Sequence, residues 1–248
     1  MSEEATEPKE NKIVSAILSL LRETFMVIVG ILLALQIDGY VGDIADTNTL
    51  KSNLNYVIED LNNNKKALLA IKEVKEKSIA ACTELIDNYK QHKSMHSDDI
   101  LNTLVSILKT NKFVNDQSGF DRIKSSPLYE SDDFFSVRDK IRTYNGILAD
   151  LRFTENFINT YITSLSLEMS KNGELLKVFD YVRMKLGIAQ YKTALPHFEV
   201  DEILRDNKPL QAVLHKYEFD ALTLIENYTK LIKTGEALRT EINTYLEE

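Results

Sequence analysis

The sequence predicts an all-α protein: one N-terminal transmembrane helix, then an elongated antiparallel helical bundle with coiled-coil-like seams. Three observations carry this expectation. Eight Gly and four Pro are few for 248 residues, and 27% of the residues are charged; scarce breakers with abundant charge favour long helices over a turn-rich β fold. Three long stretches place apolar residues at alternating steps of four and three, the spacing of a helical seam. No stretch sustains the apolar–polar alternation of a strand.

Residues 1–11 are polar and acidic and read as a disordered tail. Residues 12–23, containing "KIVSAILSLL", read as a short interfacial helix or as an extension of the span that follows. The span itself lies in "RETFMVIVGILLALQIDGY" (22–40). From Phe25 to Ile37 there is no charge, and Gln36 is the one polar side chain. Its apolar residues cover every face, whereas a soluble helix shows one apolar stripe. Residues 24–41 rise about 27 Å as a helix, close to the ~30 Å of a hydrocarbon layer. Arg22 can snorkel to one interface and Tyr40 sits at the other, with Gln36 and Asp38 near the outer edge.

Two alternatives compete with a span. A buried core helix is favoured only by the shortness of the belt. A cleaved signal peptide is disfavoured by the long charged region before the belt and the lack of a clean small-x-small site after it. Lys9, Lys12 and Arg22 precede the belt, and Lys51 alone follows within about 15 residues. Positive-inside counting therefore places the N-terminus in the cytoplasm and the large C-terminal part outside it. Gly30 and Ala34 form a small-xxx-small pair for close helix approach, and Gln36 adds a polar group to the same span.

Residues 47–248 read as the soluble helical bundle. A helix from Asn48 to Gln91 carries Leu50, Leu54, Val57, Leu61, Leu68, Ile71, Cys82, Leu85 and Tyr89 on one seam, interrupted at Asn64, Lys75 and Ser78. Such interruptions set register, or mark where a seam meets solvent or a shorter neighbour. "HKSMHSDD" (92–99) breaks the helix. Ser97 is placed to cap a short helix Asp98–Thr110, with Ile100, Leu101, Leu104, Val105 and Leu108 inward. A polar stretch to Gly119 leads to a short helix, Phe120–Ser125, stopped by Pro127. Ser131 is placed to cap the next helix, with Asp132 and Asp133 in its first turn. Its seam is Val137, Ile141, Tyr144, Leu148, Leu151, Ile158, Ile162, Leu165 and Met169, broken only at Glu155; Gly173 ends or bends it. Glu174–Leu186 is helical again and Gly187 closes it. After a connection at 191–202, Asn207 caps a final helix with Pro209 at its start. Leu210, Leu214, Tyr217, Ala221, Leu224, Tyr228, Leu231, Gly235, Leu238, Ile242 and Tyr245 hold its seam. Periodicity alone leaves open whether these seams close within one chain or between chains.

Composition excludes several classes. The net charge of −8 with no basic patch gives nucleic acid little to bind. A single cysteine, Cys82, rules out an intramolecular disulfide framework, and its seam position reads as a small buried apolar residue. His92 and His96, four apart and followed by Asp98 and Asp99, have metal-ligand spacing but fall on a helix end, so a solvated turn is the better reading. Lys124, Ser125 and Ser126 invite a Ser–Lys nucleophile, yet no elbow or oxyanion hole accompanies them. Tyr144, Tyr217, Tyr228 and Tyr245 read as core. With no phosphate-cradling loop, zinc spacing or dinucleotide fingerprint, no enzyme activity, cofactor or metal is expected.

Two segments resemble a widespread bacterial family of unknown function with one span. Glu23, Gly30, Ile31, Leu32, Ala34, Leu35, Gln36 and Ile37 match its N-terminal pattern. In "GFDRIKSSPLYESDDFFSVRDKI" (119–141), Ile123, Lys124, Ser125 and Ser126 match its turn, and Val137–Arg138 the dipeptide opening the next helix. Pro127 stands where that family usually has Gly, and Tyr40 where it usually has Trp. The resemblance implies a single-span protein with a helical soluble domain and supplies no activity. It makes Lys124, Ser125, Ser126 and Arg138 a candidate partner-contact turn. The sequence thus points to a membrane-anchored interaction protein, an accessory or assembly subunit or a homo-oligomer, whose partners are lipid and protein. An extracytoplasmic bundle that senses a ligand and relays through its span to a partner is the alternative.

Overall fold

A computed structural model describes residues 10–109, 112–171, 173, 176, 180, 182–184, 186–188 and 208–247. The described residues are helices and turns, with no strand among them. Helix α1 (Glu10–Lys90) is one unbroken helix of 81 residues, about 120 Å long. The chain has no Pro between residues 10 and 90, so nothing removes a backbone donor along the rod. The start foreseen at Asn48 is therefore absorbed into a helix that already passes through residues 12–41. α1 ends at His92, whose φ of 54° turns the chain out of the helix. There Lys93 N–H reaches Asn88 O at 3.0 Å and His92 N–H reaches Tyr89 O at 3.2 Å, the paired bonds of a helix stop.

Helix α2 (Ser97–Leu108) starts one residue earlier than foreseen, which puts His96, not Ser97, at the capping position. It buries Ile100, Leu101, Leu104 and Ile107, while Val105 and Leu108 are only partly covered. Thr110 lies outside the described residues. Helix α3 (Ser118–Lys124) is followed by a 3-10 turn at Pro127–Glu130, so Pro127 both ends one helix and opens a tighter one. Helix α4 (Phe135–Lys171) begins later than Ser131. The Ser131 hydroxyl donates to Leu128 O at 2.8 Å. It completes the 3-10 turn and does not cap α4, and Asp132 and Asp133 precede the helix rather than occupying its first turn.

Gly173 and Gly187 have φ of 72° and 67°, conformations glycine adopts without a Cβ penalty. Gly187 N–H and Ile188 N–H bond back to Met184 O and Arg183 O. Of the helix foreseen at 174–186, the described residues Leu176, Asp180 and Val182 to Met184 are helical and Leu186 is already in the turn at Gly187; the remaining residues, the connection at 191–202 and the Asn207 cap lie outside the described residues. Helix α5 (Lys208–Glu247) completes the fold.

Helix directions follow from side-chain pairs. α1 and α5 run opposite ways: Asn62 meets Arg239, Lys65 meets Glu236, Thr83 meets Glu218 and Tyr89 meets Gln211. α4 also opposes α5, through Ser136 with Glu241 and Glu155 with Tyr228. The chain from α2 to α3 returns beside α1. Every residue of the first seam is buried except Ile71 and Tyr89, which are partly covered. The second and third seams are likewise buried, with Tyr245 partly covered and the Met169 side chain outside the described set. The four polar interruptions are buried as well. Asn64, Lys75, Ser78 and Glu155 are 2%, 2%, 5% and 3% exposed, so none marks an opening of its seam to solvent.

Candidate functional site

Three features outside ordinary core packing offer themselves as functional. The first is the start of α1. From Leu18 to Ala45 every side chain is exposed except Val29, which is partly covered. An 18-residue window here is apolar and long enough to cross a membrane, and none of it is buried. This separates it from the core helix weighed above, which would be covered by its own protein. Gly30 has nothing within 4 Å of where a Cβ would stand. Ala34 and Gln36 are exposed beside it. The three are thus free to face lipid or a second helix.

The second feature is the turn that carries the resemblance. α3 lies against α1 at Tyr56 and Val57, about 22 Å along the rod from Val41, so the two resembling segments sit toward the same end. Gly119 is what lets α3 come so close: a Cβ there would stand 2.5 Å from Tyr56 C and Val57 N. The Arg122 guanidinium lies over the Tyr56 ring at 4.2 Å. Ser125 Oγ donates to Arg122 O at 2.7 Å, and Ser126 Oγ accepts from Leu128 N–H at 3.3 Å. Arg138, 7% exposed, donates from Nη1 to Tyr129 O at 2.8 Å and pairs with Glu130 at 3.1 Å. Ser125, Ser126 and Arg138 hold the turn in shape, and Lys124 lies at the surface in an exposed pair with Asp121 at 3.9 Å. Phe135, 58% exposed, adds an apolar group beside Arg138.

The third feature is a set of buried polar side chains. Residues 112–117 have no regular secondary structure and bury only Phe113, and the backbone groups that this stretch and the start of α3 turn toward α1 and α4 need partners. Asn64 supplies two: its Oδ1 accepts from Asp116 N–H at 2.7 Å and its Nδ2 donates to Asp116 O at 3.0 Å. Asp60 accepts from Gly119 N–H at 2.7 Å and Ser118 Oγ at 3.1 Å. Glu155 accepts from Phe113 N–H at 3.0 and 3.2 Å and from the Tyr228 hydroxyl at 2.8 Å. Burial pushes the Glu155 pKa up, opposed by the Tyr228 and Phe113 bonds and by the charge of Lys75.

Lys75 is different. Burial pushes its pKa down, with Glu155 opposing, yet no carboxylate among the described residues lies within the 4.0 Å of an ion pair. Its ammonium sits 5.5 Å from the Tyr217 ring centre. Burial raises the Tyr217 pKa to about 12, with the neighbouring Ser78 hydroxyl opposing, although no bond of good geometry reaches the Tyr217 hydroxyl. Cys82 is buried, donates to Leu214 O at 3.4 Å, and has its pKa pushed up to about 12 by burial. That fits the packing role read for it.

His92 and His96 flank the loop between α1 and α2, and no group of three or more metal-ligating side chains converges among the described residues. Sequence reasoning missed Asp60, which lies off the seam, and the buried Phe113 within a polar stretch. The Phe113–Val114 pair amid polar residues was the available signal for the latter. No family model, no curated protein and no solved structure matches this chain, so the family resemblance rests on its two motifs.

Proposed function

We propose that this chain is a membrane-anchored, non-enzymatic interaction protein, an accessory or assembly subunit of a bacterial inner-membrane complex or a homo-oligomer. In this reading the N-terminus is cytoplasmic and the helices after Leu50 close within one chain as an elongated antiparallel bundle in the periplasm. The observation that supports it most is the uncovered apolar surface from Leu18 to Ala45, continuous with the packed part of α1. Surface of that kind needs lipid or protein against it. Gly30 and Ala34 are the proposed helix-packing positions, and the turn at Lys124, Ser125 and Ser126 the proposed partner contact near the lipid.

The test is extraction of the full chain in mild detergent followed by mass measurement of the intact particle. Particles heavier than one 28.4 kDa chain, either self-associated or carrying a stoichiometric companion, are expected. A protein that stays in the aqueous fraction without detergent, or a clean monomer in detergent, refutes the reading. A second reading, a ligand sensor relaying through the span, draws on a cavity of about 180 Å³ between Leu85, Ile86, Tyr89 and Leu214. It requires a partner to carry the signal onward from the cytoplasmic side.

A further inference from the structure

The molecule is unevenly built along its length. Toward the apolar end of α1, most buried polar groups are answered. Asp60 accepts two bonds, Asn64 makes three with Asp116 and Tyr144, and Phe120 stacks on Tyr144 at 5.4 Å. The gap beside Gly235 holds only about 10 Å³. Asn115 Nδ2 and Arg138 Nε lack partners, but Arg152 holds Asn115 through its oxygen, and Tyr129 O with Glu130 holds Arg138.

From Lys75 onward the construction loosens. The Lys75 ammonium is buried without an ion pair among the described residues, and Asn159 Nδ2 is buried without a partner. The Tyr217 hydroxyl has only the neighbouring Ser78 hydroxyl, at poor bonding geometry, while Ser78 donates to Val74 O in its own helix. A groove of about 400 Å³ separates α1 from α2 at Val74, Ser78, Ala81 and Met95. The cavity of about 180 Å³ lies one turn further on. An unpaired buried donor costs about 1–3 kcal/mol, and a void forfeits the dispersion contacts of its lining. Segments with few closed contacts open at lower free energy than the whole molecule.

We propose that the Lys75–Glu155 layer is a parting plane: the half beyond it opens as a unit in the native protein while the half from Leu50 to Tyr144 stays closed. Opening lifts α2 and the start of α5 off the far end of α1 and hydrates Lys75, Tyr217 and Asn159. It exposes the walls of the groove and the cavity, and leaves the seam at Leu50, Leu54 and Val57 intact.

Cys82 is the chain's single cysteine, fully buried two turns beyond Lys75, and so reports opening of this half. The test is thiol labelling of the full chain in mild detergent with excess disulfide reagent. Cys82 is compared with Leu54→Cys in a Cys82→Ala background, Leu54 being fully buried in the other half. Cys82 is expected to label at least ten-fold faster than Leu54→Cys, with a rate nearly flat in low urea, because opening half the molecule exposes less surface than unfolding it all. Lys75→Met with Glu155→Gln removes the buried charges and keeps the acceptor for Phe113 and Tyr228, and it should slow Cys82 labelling about ten-fold. Equal rates and equal urea slopes for the two thiols overturn the proposal. So does an unchanged Cys82 rate in the charge-free variant. The wild-type chain gives a measure that needs no variant: a Cys82 urea slope as steep as that of global unfolding also overturns it.

Discussion

Replacing Gly119 by Ala tests how α3 is joined to α1. The added Cβ would stand 2.5 Å from Tyr56 C and Val57 N and 2.7 Å from Tyr56 O, against the ~3.5–4.0 Å of an ordinary contact. These are backbone atoms in the middle of α1, so a rotamer change cannot relieve the clash. α3 must back away by about 1 Å, and the bonds from Gly119 N–H and Ser118 Oγ to Asp60, at 2.7 and 3.1 Å, are the ones lengthened. Overpacking costs about 1–3 kcal/mol, and weakening hydrogen bonds to a buried charge about 1.5–3 more. The gain in helix propensity from Gly to Ala returns at most about 1. The net expectation is a loss of about 2–5 kcal/mol, or a fall in Tm of roughly 5–15 °C for a chain this size. The control is Gly146→Ala. Gly146 is exposed in the interior of α4 with nothing near its Cβ position, so Ala there should stabilise by about 0.5–1 kcal/mol. Urea unfolding of the full chain in mild detergent, followed by helical circular dichroism, measures both. Two variants of the same sign, or a Gly119→Ala chain within about 0.5 kcal/mol of wild type, would refute the close-approach argument.

Glu155→Gln probes the buried carboxylate by pH. Because burial raises the folded-state pKa of Glu155 above its unfolded value, its charge opposes folding above the folded pKa. That penalty is relieved as pH falls through the folded pKa toward the unfolded one. Wild type should therefore gain stability relative to Glu155→Gln as the pH is lowered through that window, and unfolding curves at matched pH values that stay a constant distance apart would contradict it. Arg138→Ala should cost about 1.5–3 kcal/mol through the lost bond to Tyr129 O and quicken proteolysis at 125–131; a variant with wild-type stability and cleavage would show that the turn holds itself. Gly30→Ile should leave unfolding unchanged, since nothing lies near Gly30, and weaken self-association in vesicles at least ten-fold by energy transfer between labelled copies. Unchanged transfer would remove the Gly30–Ala34 face from the account.

Much of the fold was legible because helical seams are a regular pattern. The three runs of alternating fours and threes became the buried stripes of α1, α4 and α5, and the unstriped apolar belt remained uncovered. Legibility failed where one residue serves two readings. Ser131 looks like a helix cap, but the competing 3-10 turn claims its hydroxyl. The start at Asn48 was a change in composition rather than in backbone, and a helix does not break where an all-round apolar belt gives way to seam residues unless Pro or a cap intervenes. Within the candidate site, the interruptions at Asn64, Lys75, Ser78 and Glu155 were visible, but their partners were not. Those partners lie 52 residues away for Asn64 and 42 for Glu155, in a segment with no periodicity to place it.

That segment explains why polar residues stand in two of the seams. The connection buries Phe113 while Lys112, Val114 and Asp116 stay exposed, and side chains fixed on the helices answer the N–H and C=O groups it turns toward them. Asn64 and Glu155 do so at the expense of apolar packing, which makes them part of the fold's topology rather than flaws in it. Lys75 serves no such backbone group among the described residues, and Ser78 bonds its own helix at Val74 O. The apolar end of α1 is the complementary case. Nine large apolar side chains between Phe25 and Ile37 are half or more exposed. At about 1.5–3 kcal/mol for full burial of each, covering what remains exposed is worth on the order of 10 kcal/mol, comparable with the whole stability of a folded domain. Among the described residues none covers them, and the seam residues of α1, α4 and α5 are themselves buried. A continuous helix with apolar residues on all faces, uncovered among the described residues, has the length and composition of a membrane-crossing segment.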